Sequence, residues 1–163
     1  MFRIVTARLV PHALARRLRD KHAGAFASFE GWVRRRNEGE AVWRLEYEAY
    51  TDLAEKEGRR ILAAARAKFD ILAAACVHRV GRLKPGDLSV CAGVTAEHRR
   101  AAFAACRFII DQVKTRVPIW KKEHYDRGGT EWINAAAQRP QGSGRRVLRR
   151  RVTKKSQIKG SGK

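Results

Sequence analysis

Two lysines seven positions apart, Lys114 and Lys121, bracket a proline and a tryptophan in the run Lys114-Thr115-Arg116-Val117-Pro118-Ile119-Trp120-Lys121-Lys122-Glu123. Proline cannot continue a helix, and it pushes the residue before it toward extended geometry. The run therefore predicts Lys114 on the last turn of a helix and Lys121 on the extended segment that follows. Trp120, next to Lys121, offers an apolar wall. An amine against such a wall loses hydration, which lowers its pKa and makes it a better base or nucleophile. The alternative is that Lys114 complements a helix C-terminus while Lys121 lies in a solvated basic cluster.

Two further segments carry groups suited to anions. Thr95-Ala96-Glu97-His98-Arg99-Arg100 is expected to open a helix straight after a strand, with Thr95 as its cap. Free amide hydrogens and the helix dipole make such an end an anion site, and His98 with Arg99 adds donors. The same residues also suit a plain helix start, with Glu97 complementing the dipole and His98 solvated. Gly31-Trp32-Val33-Arg34 places an arginine where a strand runs into a loop. Its fork suits phosphate; a solvated strand end is the other reading. No other chemistry competes. The five histidines show no H-x-x-x-H spacing, and neither a P-loop nor a G-x-G-x-x-G occurs. Cys76, Cys91 and Cys106 form no C-x-x-C pair and lie in apolar runs, where cysteine packs as a small core residue. That argues for a reducing cytosol and against structural zinc, and no metal or cofactor is expected.

These groups need elements to position them. Phe2 to Thr6 reads as a short strand, and Pro11 to about Asp20 as a helix with Pro11 in its first turn. Gly24 to Val33 alternates as a strand, and a charged loop follows from Arg34 to Glu40. Val42 to Glu48 alternates cleanly, with Trp43, Leu45 and Tyr47 on one face. Thr51 is expected to cap a helix whose inward stripe is Ala54, Gly58, Ile61, Leu62, Ala65 and Phe69. Ile71 to Val80 and Leu88 to Val94 read as strands joined by a hairpin turn at Lys84-Pro85-Gly86-Asp87. The next helix presents Phe103, Cys106, Ile110 and Val113 inward. An extended Val117 to Glu123, a Gly128-Gly129 turn and a short strand around Trp132-Ile133 close the pattern. The hairpin argues against a purely parallel sheet, so the class is α+β.

The chain has 163 residues, 44% of them hydrophobic, which suits one globular domain. Its formal charge is +20, and half of that belongs to residues 139–163, which hold ten Lys/Arg and no acid. Residues 1–138 therefore read as the domain, and 139–163 as a basic, disordered tail. No apolar run is long enough to span a bilayer, and Met1-Phe2-Arg3-Ile4-Val5-Thr6 lacks a signal-peptide layout, so the expected location is cytoplasmic.

Five ordered blocks carry a resemblance that no single motif does. They are G-A-F-A-S-F-E-G-W-V-R (24–34), L-E-Y-E-A-Y with L-A-E-K after it (45–56), V-H-R-V-G-R-L-K-P-G-D (77–87), G-V-T-A-E-H-R-R-A-A-F (93–103) and K-T-R-V-P-I-W-K-K-E (114–123). From Phe2 to about Ile133 the chain resembles the catalytic (large) subunit family of molybdopterin synthase. The resemblance implies an α/β hammerhead-type fold with an additional small antiparallel β-sheet, in a homodimer. Each subunit of that dimer would bind a small ubiquitin-like sulfur-carrier subunit, giving a heterotetramer. The carrier's C-terminal Gly-Gly thiocarboxylate would reach a pocket where two sulfurs pass to cyclic pyranopterin monophosphate, forming the dithiolene of molybdopterin. By position, Lys114 and Lys121 match the family's two active-site lysines. Arg34, His98 and Arg99 match residues that hold the pterin and its phosphate, and Trp32, Val33, Lys122 and Glu123 line the same site. The family's pocket is built across the dimer, so His98 and Arg99 would serve the neighbouring subunit's lysines. A cationic pocket suits both an anionic thiocarboxylate and a phosphate. Lys121 is assigned to chemistry, and Lys114 to positioning the carrier tail and substrate.

Two features depart from that pattern. Ala135-Ala136-Ala137 stands where family members often carry a basic residue, and Arg139 or the tail is the available substitute. The tail is also longer and more basic than the family requires, and its composition suits either a solvated extension or weak, salt-dependent polyanion binding. The rival reading from another class is a small RNA-binding or ribosome-associated protein, suggested by a sequence pI near 11.1. Stacking platforms need exposed aromatics among basic residues. Phe26, Phe29, Trp43, Tyr47 and Phe103 instead fall on apolar stripes and are expected in the core.

Overall fold

The computed structural model describes residues 1–37, 39–125 and 130–134. In chain order its elements begin β1 (Phe2–Val5), α1 (Pro11–Arg17), β2 (Ala25–Trp32), β3 (Arg36–Asn37), β4 (Glu40–Ala49) and α2 (Thr51–Lys68). They continue β5 (Ala73–Arg79), β6 (Gly81–Leu83), β7 (Leu88–Ala96), α3 (Arg99–Arg116), β8 (Ile119–Tyr125) and β9 (Thr130–Asn134). The first sheet has the order β1-β5-β7-β2, with β1 parallel to β5 and the other pairs antiparallel. The second is antiparallel, in the order β3-β4-β8-β9, and β6 adds to β4. This is the α+β class with an added antiparallel sheet.

Strand β7 is buried along its whole length because both of its faces are covered. Helices α2 and α3 close one face over Val90, Ala92 and Val94. Helix α1 closes the other, with Leu14 and Leu18 on Ala75 and Cys91. The α2 stripe of Ala54, Gly58, Ile61, Leu62 and Ala65 is buried as its periodicity predicts. Burying a side chain such as Ile61 contributes about 1.5–3 kcal/mol. All three cysteines are buried and unpaired, and burial pushes the Cys91 and Cys106 thiols up to about 11.

Several sequence expectations shift. Thr51 is the first helical residue, and the α2 cap is Tyr50, whose side chain makes no capping bond. Thr95 stays in β7, because its ladder still pairs with Phe26 on one side and Ala73 on the other. The α3 cap falls instead on His98. Phe103 is 67% exposed: the buried stripe runs through Ala102, Cys106, Ile109 and Val113, one residue round the helix. Phe26 and Trp43 are also exposed in the single chain. Helix α1 ends at Arg17, short of Asp20. The expected charged loop contains β3, which pairs with β4. The β5–β7 connection is a hairpin interrupted by β6, which leaves for the second sheet. Its turn closes with Asp87 N–H donating to the Lys84 carbonyl at 2.9 Å and Gly86 at φ +90°, a conformation that favours glycine. Strand β9 covers the expected last strand, whereas the Gly128-Gly129 turn and the tail lie outside the described residues.

Candidate active site

Lys121 and Glu123 sit two apart on β8, so both side chains leave the same face of the strand. The Lys121 Nζ lies 2.9 Å from Glu123 Oε1, and both residues are buried. Glu123 Oε2 accepts two more hydrogen bonds, from the Tyr125 hydroxyl at 2.7 Å and Asn37 Nδ2 at 2.8 Å. Burial by itself pushes the Glu123 carboxyl up, but the bonds from Tyr125 and Lys121, the Lys121 charge and the Asn37 bond outweigh it. The net result lies below the ordinary carboxylate value. Lys121 is therefore a cation fixed in place. Trp120 leaves the opposite face of β8 and is 38% exposed, so it does not wall Lys121 as its neighbouring position suggested. A carboxylate stands there instead. Lys122 shares the Trp120 face and pairs in register with Glu46.

The lowered Glu123 pKa has a testable sign. A carboxyl ionised more readily in the folded state stabilises the fold above the unfolded pKa, near 4.5, and loses that contribution as pH falls through its lower folded value. Glu123→Gln is expected to lose about 1–3 kcal/mol at neutral pH and to flatten the acid limb of stability. Denaturant midpoints measured from pH 7 down to pH 3 would show it; an unchanged acid limb would refute it.

Lys114 lies in the last turn of α3, as predicted, and is exposed. Its ammonium stands 5.2 Å from the centroid of the Phe29 ring, a cation–π contact. Among the described residues it has no acidic partner, so its charge is not neutralised as that of Lys121 is. Phe29 and Cys76 flank Ala92 in the sheet, while Gly31 and His78 flank Val90. Phe29 and His78 thus share the sheet face on which α3 packs. His78 is buried, with Nδ1 2.9 Å from the Arg79 carbonyl, where the neutral ring donates. Burial pushes His78 down to about 4, the Arg79 bond opposes this, and the Lys114 charge reinforces it. The imidazole is therefore a neutral floor beside Lys114.

Tyr47 joins the two lysines. It pairs with Lys121 in the β4–β8 register, and its ring meets His78 edge-on at 5.0 Å between centroids. Arg34 is exposed just after β2, and its charge reaches the Tyr47 phenol. Trp32 is 57% exposed at the end of β2. Val33 is buried and tied to the 84–87 turn, donating to the Asp87 carbonyl at 2.9 Å and accepting from Gly86 N–H at 2.8 Å. His98 and Arg99 are exposed at the opposite end of α3 from Lys114. Fifteen residues at about 1.5 Å rise separate Arg99 from Lys114 by about 22 Å along the helix. One chain therefore brings Arg34, Lys114, Lys121 and Glu123 round Tyr47 and His78, and does not bring His98 and Arg99 there.

Sequence reasoning does not single out Asn37, Tyr47, His78 or Tyr125. Tyr47 reads as core because it alternates with Leu45, and His78 has no spacing partner. Only Tyr125 carried a local signal, two residues beyond Glu123 on the same strand face.

Residues 4–116 match the family model described as MoaE protein. The chain belongs to the MoaE protein family. The matched span takes in Trp32, Val33, Arg34, His98, Arg99 and Lys114, and ends before Lys121. A molybdopterin synthase catalytic subunit from Thermoplasma volcanium is 43% identical over 122 residues, which are 75% of this chain and 89% of the relative. The crystal structure of molybdopterin synthase from Staphylococcus aureus superposes with a TM-score of 0.78 at 33% identity, over 82% of this chain and 96% of that one. A complex of subunits 1 and 2 of the molybdopterin-converting factor from Helicobacter pylori 26695 shares the fold, with a TM-score of 0.66 at 20% identity. That superposition covers 84% of this chain and 91% of that one.

Proposed function

We propose that this chain is the catalytic subunit of a molybdopterin synthase. It takes sulfur from a small carrier with a C-terminal Gly-Gly thiocarboxylate and delivers two sulfurs to cyclic pyranopterin monophosphate. The observation that carries this reading is the pair of differently held lysines within a MoaE-family frame. Lys121, buried on Glu123, is a directed cation suited to an anionic adduct at the carrier's terminal carbonyl. Lys114, exposed and without an acid, is suited to hold an anionic tail or phosphate. Arg34 adds a guanidinium beside Tyr47, and Trp32, Val33 and Lys122 complete the proposed lining.

The separation of His98 and Arg99 from the lysines supports a site shared between two copies of the chain. In that arrangement the partner's helix start supplies the phosphate donors. A homodimer with a carrier on each subunit gives a heterotetramer, and the two-subunit Helicobacter pylori complex is an example of such pairing. No described helix is long and apolar enough to cross a membrane, and three unpaired thiols suit a cytoplasmic location. Residues 1–138 would form the catalytic domain, with 139–163 a basic extension.

The test is reconstitution. The chain, a thiocarboxylated Gly-Gly carrier and cyclic pyranopterin monophosphate are expected to yield molybdopterin, with full activity after deletion of residues 139–163. No product, together with RNA binding that survives the deletion and resists salt, would establish the rival reading instead.

A further inference from the structure

Away from the lysines, the second sheet carries a bulge at Trp43. The β4–β8 ladder pairs Val42 with Tyr125 and Arg44 with His124, so Trp43 is the extra residue of β4. A bulge re-aims the side chain it carries. Here it takes the indole off the face of Leu45 and Tyr47 and leaves Trp43 49% exposed. The ring is held all the same. The Arg44 guanidinium carbon lies 4.6 Å from its centroid, and the His124 ring meets it at 5.7 Å between centroids, 61° off parallel. Arg44 Nη2 and His124 Nδ1 are themselves 3.5 Å apart, so both groups hold the indole from one side. The exposed part of the ring is the other side.

Trp43 lines a cavity of about 360 Å³ together with Arg35, Val42, Lys84 and Pro85. Its walls are tied down by the backbone. Val42 N–H donates to the Arg35 carbonyl at 2.8 Å, and Lys84 N–H donates to the Asp87 carboxylate at 3.0 Å across the 84–87 turn. Among the described residues neither the Arg35 nor the Lys84 side chain has a hydrogen bond or ion pair, and no acid lines the cavity. A simple anion would use the two cations and leave the indole idle. An apolar ring would do the reverse. A planar ring that carries a phosphate uses every wall: it stacks on Trp43 beside Pro85 and places its charge between Arg35 and Lys84. The volume is at the lower end of small-ligand cavities, which run to about 300–1,000 Å³. The cavity is also separate from the lysine site. Tyr125, opposite Val42, is four residues along β8 from Lys121, about 13 Å at strand rise.

We propose that this cavity is a second ligand site, for a planar heteroaromatic phosphate of the nucleoside monophosphate or pterin phosphate kind. Trp43 stacks on the ring system, Arg35 and Lys84 hold the phosphate, and Arg44 positions the indole. The inference goes beyond the sulfur-transfer reading and does not rest on it.

Equilibrium dialysis of the full chain at low salt tests it, with guanosine 5′-monophosphate, cyclic pyranopterin monophosphate and inorganic phosphate as probes. At least one of the two aromatic phosphates is expected to bind saturably, about tenfold or more tighter than inorganic phosphate. Trp43→Ala is expected to weaken that binding about tenfold or more, and Trp43→Phe by less than about threefold. Lys84→Ala is expected to weaken it by about threefold to tenfold. The pterin arm reads a second equivalent per chain, which Trp43→Ala removes while the lysine site keeps its own. That result names a pterin phosphate as the source, and saturable guanosine binding names a nucleotide. Three results overturn the proposal: neither aromatic phosphate saturating the cavity below about 1 mM, inorganic phosphate binding as tightly, or a folded Trp43→Ala protein with parental affinity. If Trp43→Ala fails to fold, Lys84→Glu on the exposed turn decides. A loss of about tenfold or more then supports the site, and parental affinity overturns it.

Discussion

Lys121→Ala is expected to lower single-turnover sulfur transfer by about 10²–10⁴-fold, the range for removing a positioned acid, base or charge stabiliser. The same change removes the cation bonded to Glu123, leaving a buried carboxylate that, among the described residues, keeps its bonds from Tyr125 and Asn37. Breaking a buried pair from one side costs about 3–5 kcal/mol, and the two remaining bonds place this case at the lower end. Loss of activity would then be confounded with loss of fold. The double variant Lys121→Met, Glu123→Gln separates the two effects. It removes both charges and keeps the volume, so it is expected to regain much of the stability while sulfur transfer stays low. Lys114→Ala gives the contrast, because that side chain is exposed and rests on Phe29 without an acid. It is expected to change stability by less than about 1 kcal/mol and to act mainly on the affinity for the anionic tail or substrate. Chemical denaturation and rapid-quench assays on the three variants would decide. A Lys121→Ala protein that is folded and transfers sulfur at the parental rate would refute the assignment.

The positions of these lysines were legible in the sequence, and their surroundings were not. Pro118 ends the pattern of α3, so Lys114 on a helix and Lys121 on a strand follow from local rules alone. The partner of Lys121 could not be read from its neighbour Trp120, because a strand sends adjacent side chains to opposite faces. Glu123 was visible as a nearby acid, but its hold on Lys121 depends on Asn37, 86 residues away, reaching the same carboxylate. The misplaced cap at Thr95 has the same cause. Local chemistry favoured a helix start there, and two long-range strand partners kept the residue in β7. Phe103 failed differently: an apolar residue at the edge of a helical stripe differs from a core residue by one step of about 100°.

Gly58→Ala should show how strongly the fold constrains one position that a helix-propensity argument reads with the wrong sign. In the middle of α2, replacing glycine by alanine ordinarily stabilises a helix by about 1 kcal/mol. Here the added Cβ would fall on Cγ, Cδ1 and Cδ2 of Phe2. Those atoms are at the root of the ring, and Phe2 is 1% exposed, so the ring has no free space to swing into. Phe2 also begins β1, whose pairing with β5 starts at Phe2 opposite Cys76 and is fastened by the Met1 amine on the Ala74 carbonyl at 3.0 Å. The methyl must therefore push α2 away from β1 or lever β1 off the sheet edge. Either motion loses packing between α2 and the first sheet, and the expected cost is about 2–4 kcal/mol, measured as a fall in the denaturant midpoint. The cause can be isolated by a double-mutant cycle. Phe2→Ala alone is expected to cost about 3–5 kcal/mol through the cavity it leaves. Combined with Gly58→Ala, the new methyl enters that cavity, so the pair should cost less than the sum by about 1–3 kcal/mol. A Gly58→Ala protein more stable than the parent would show that α2 and β1 do not meet as closely as described, whereas strict additivity would place the strain somewhere other than Phe2.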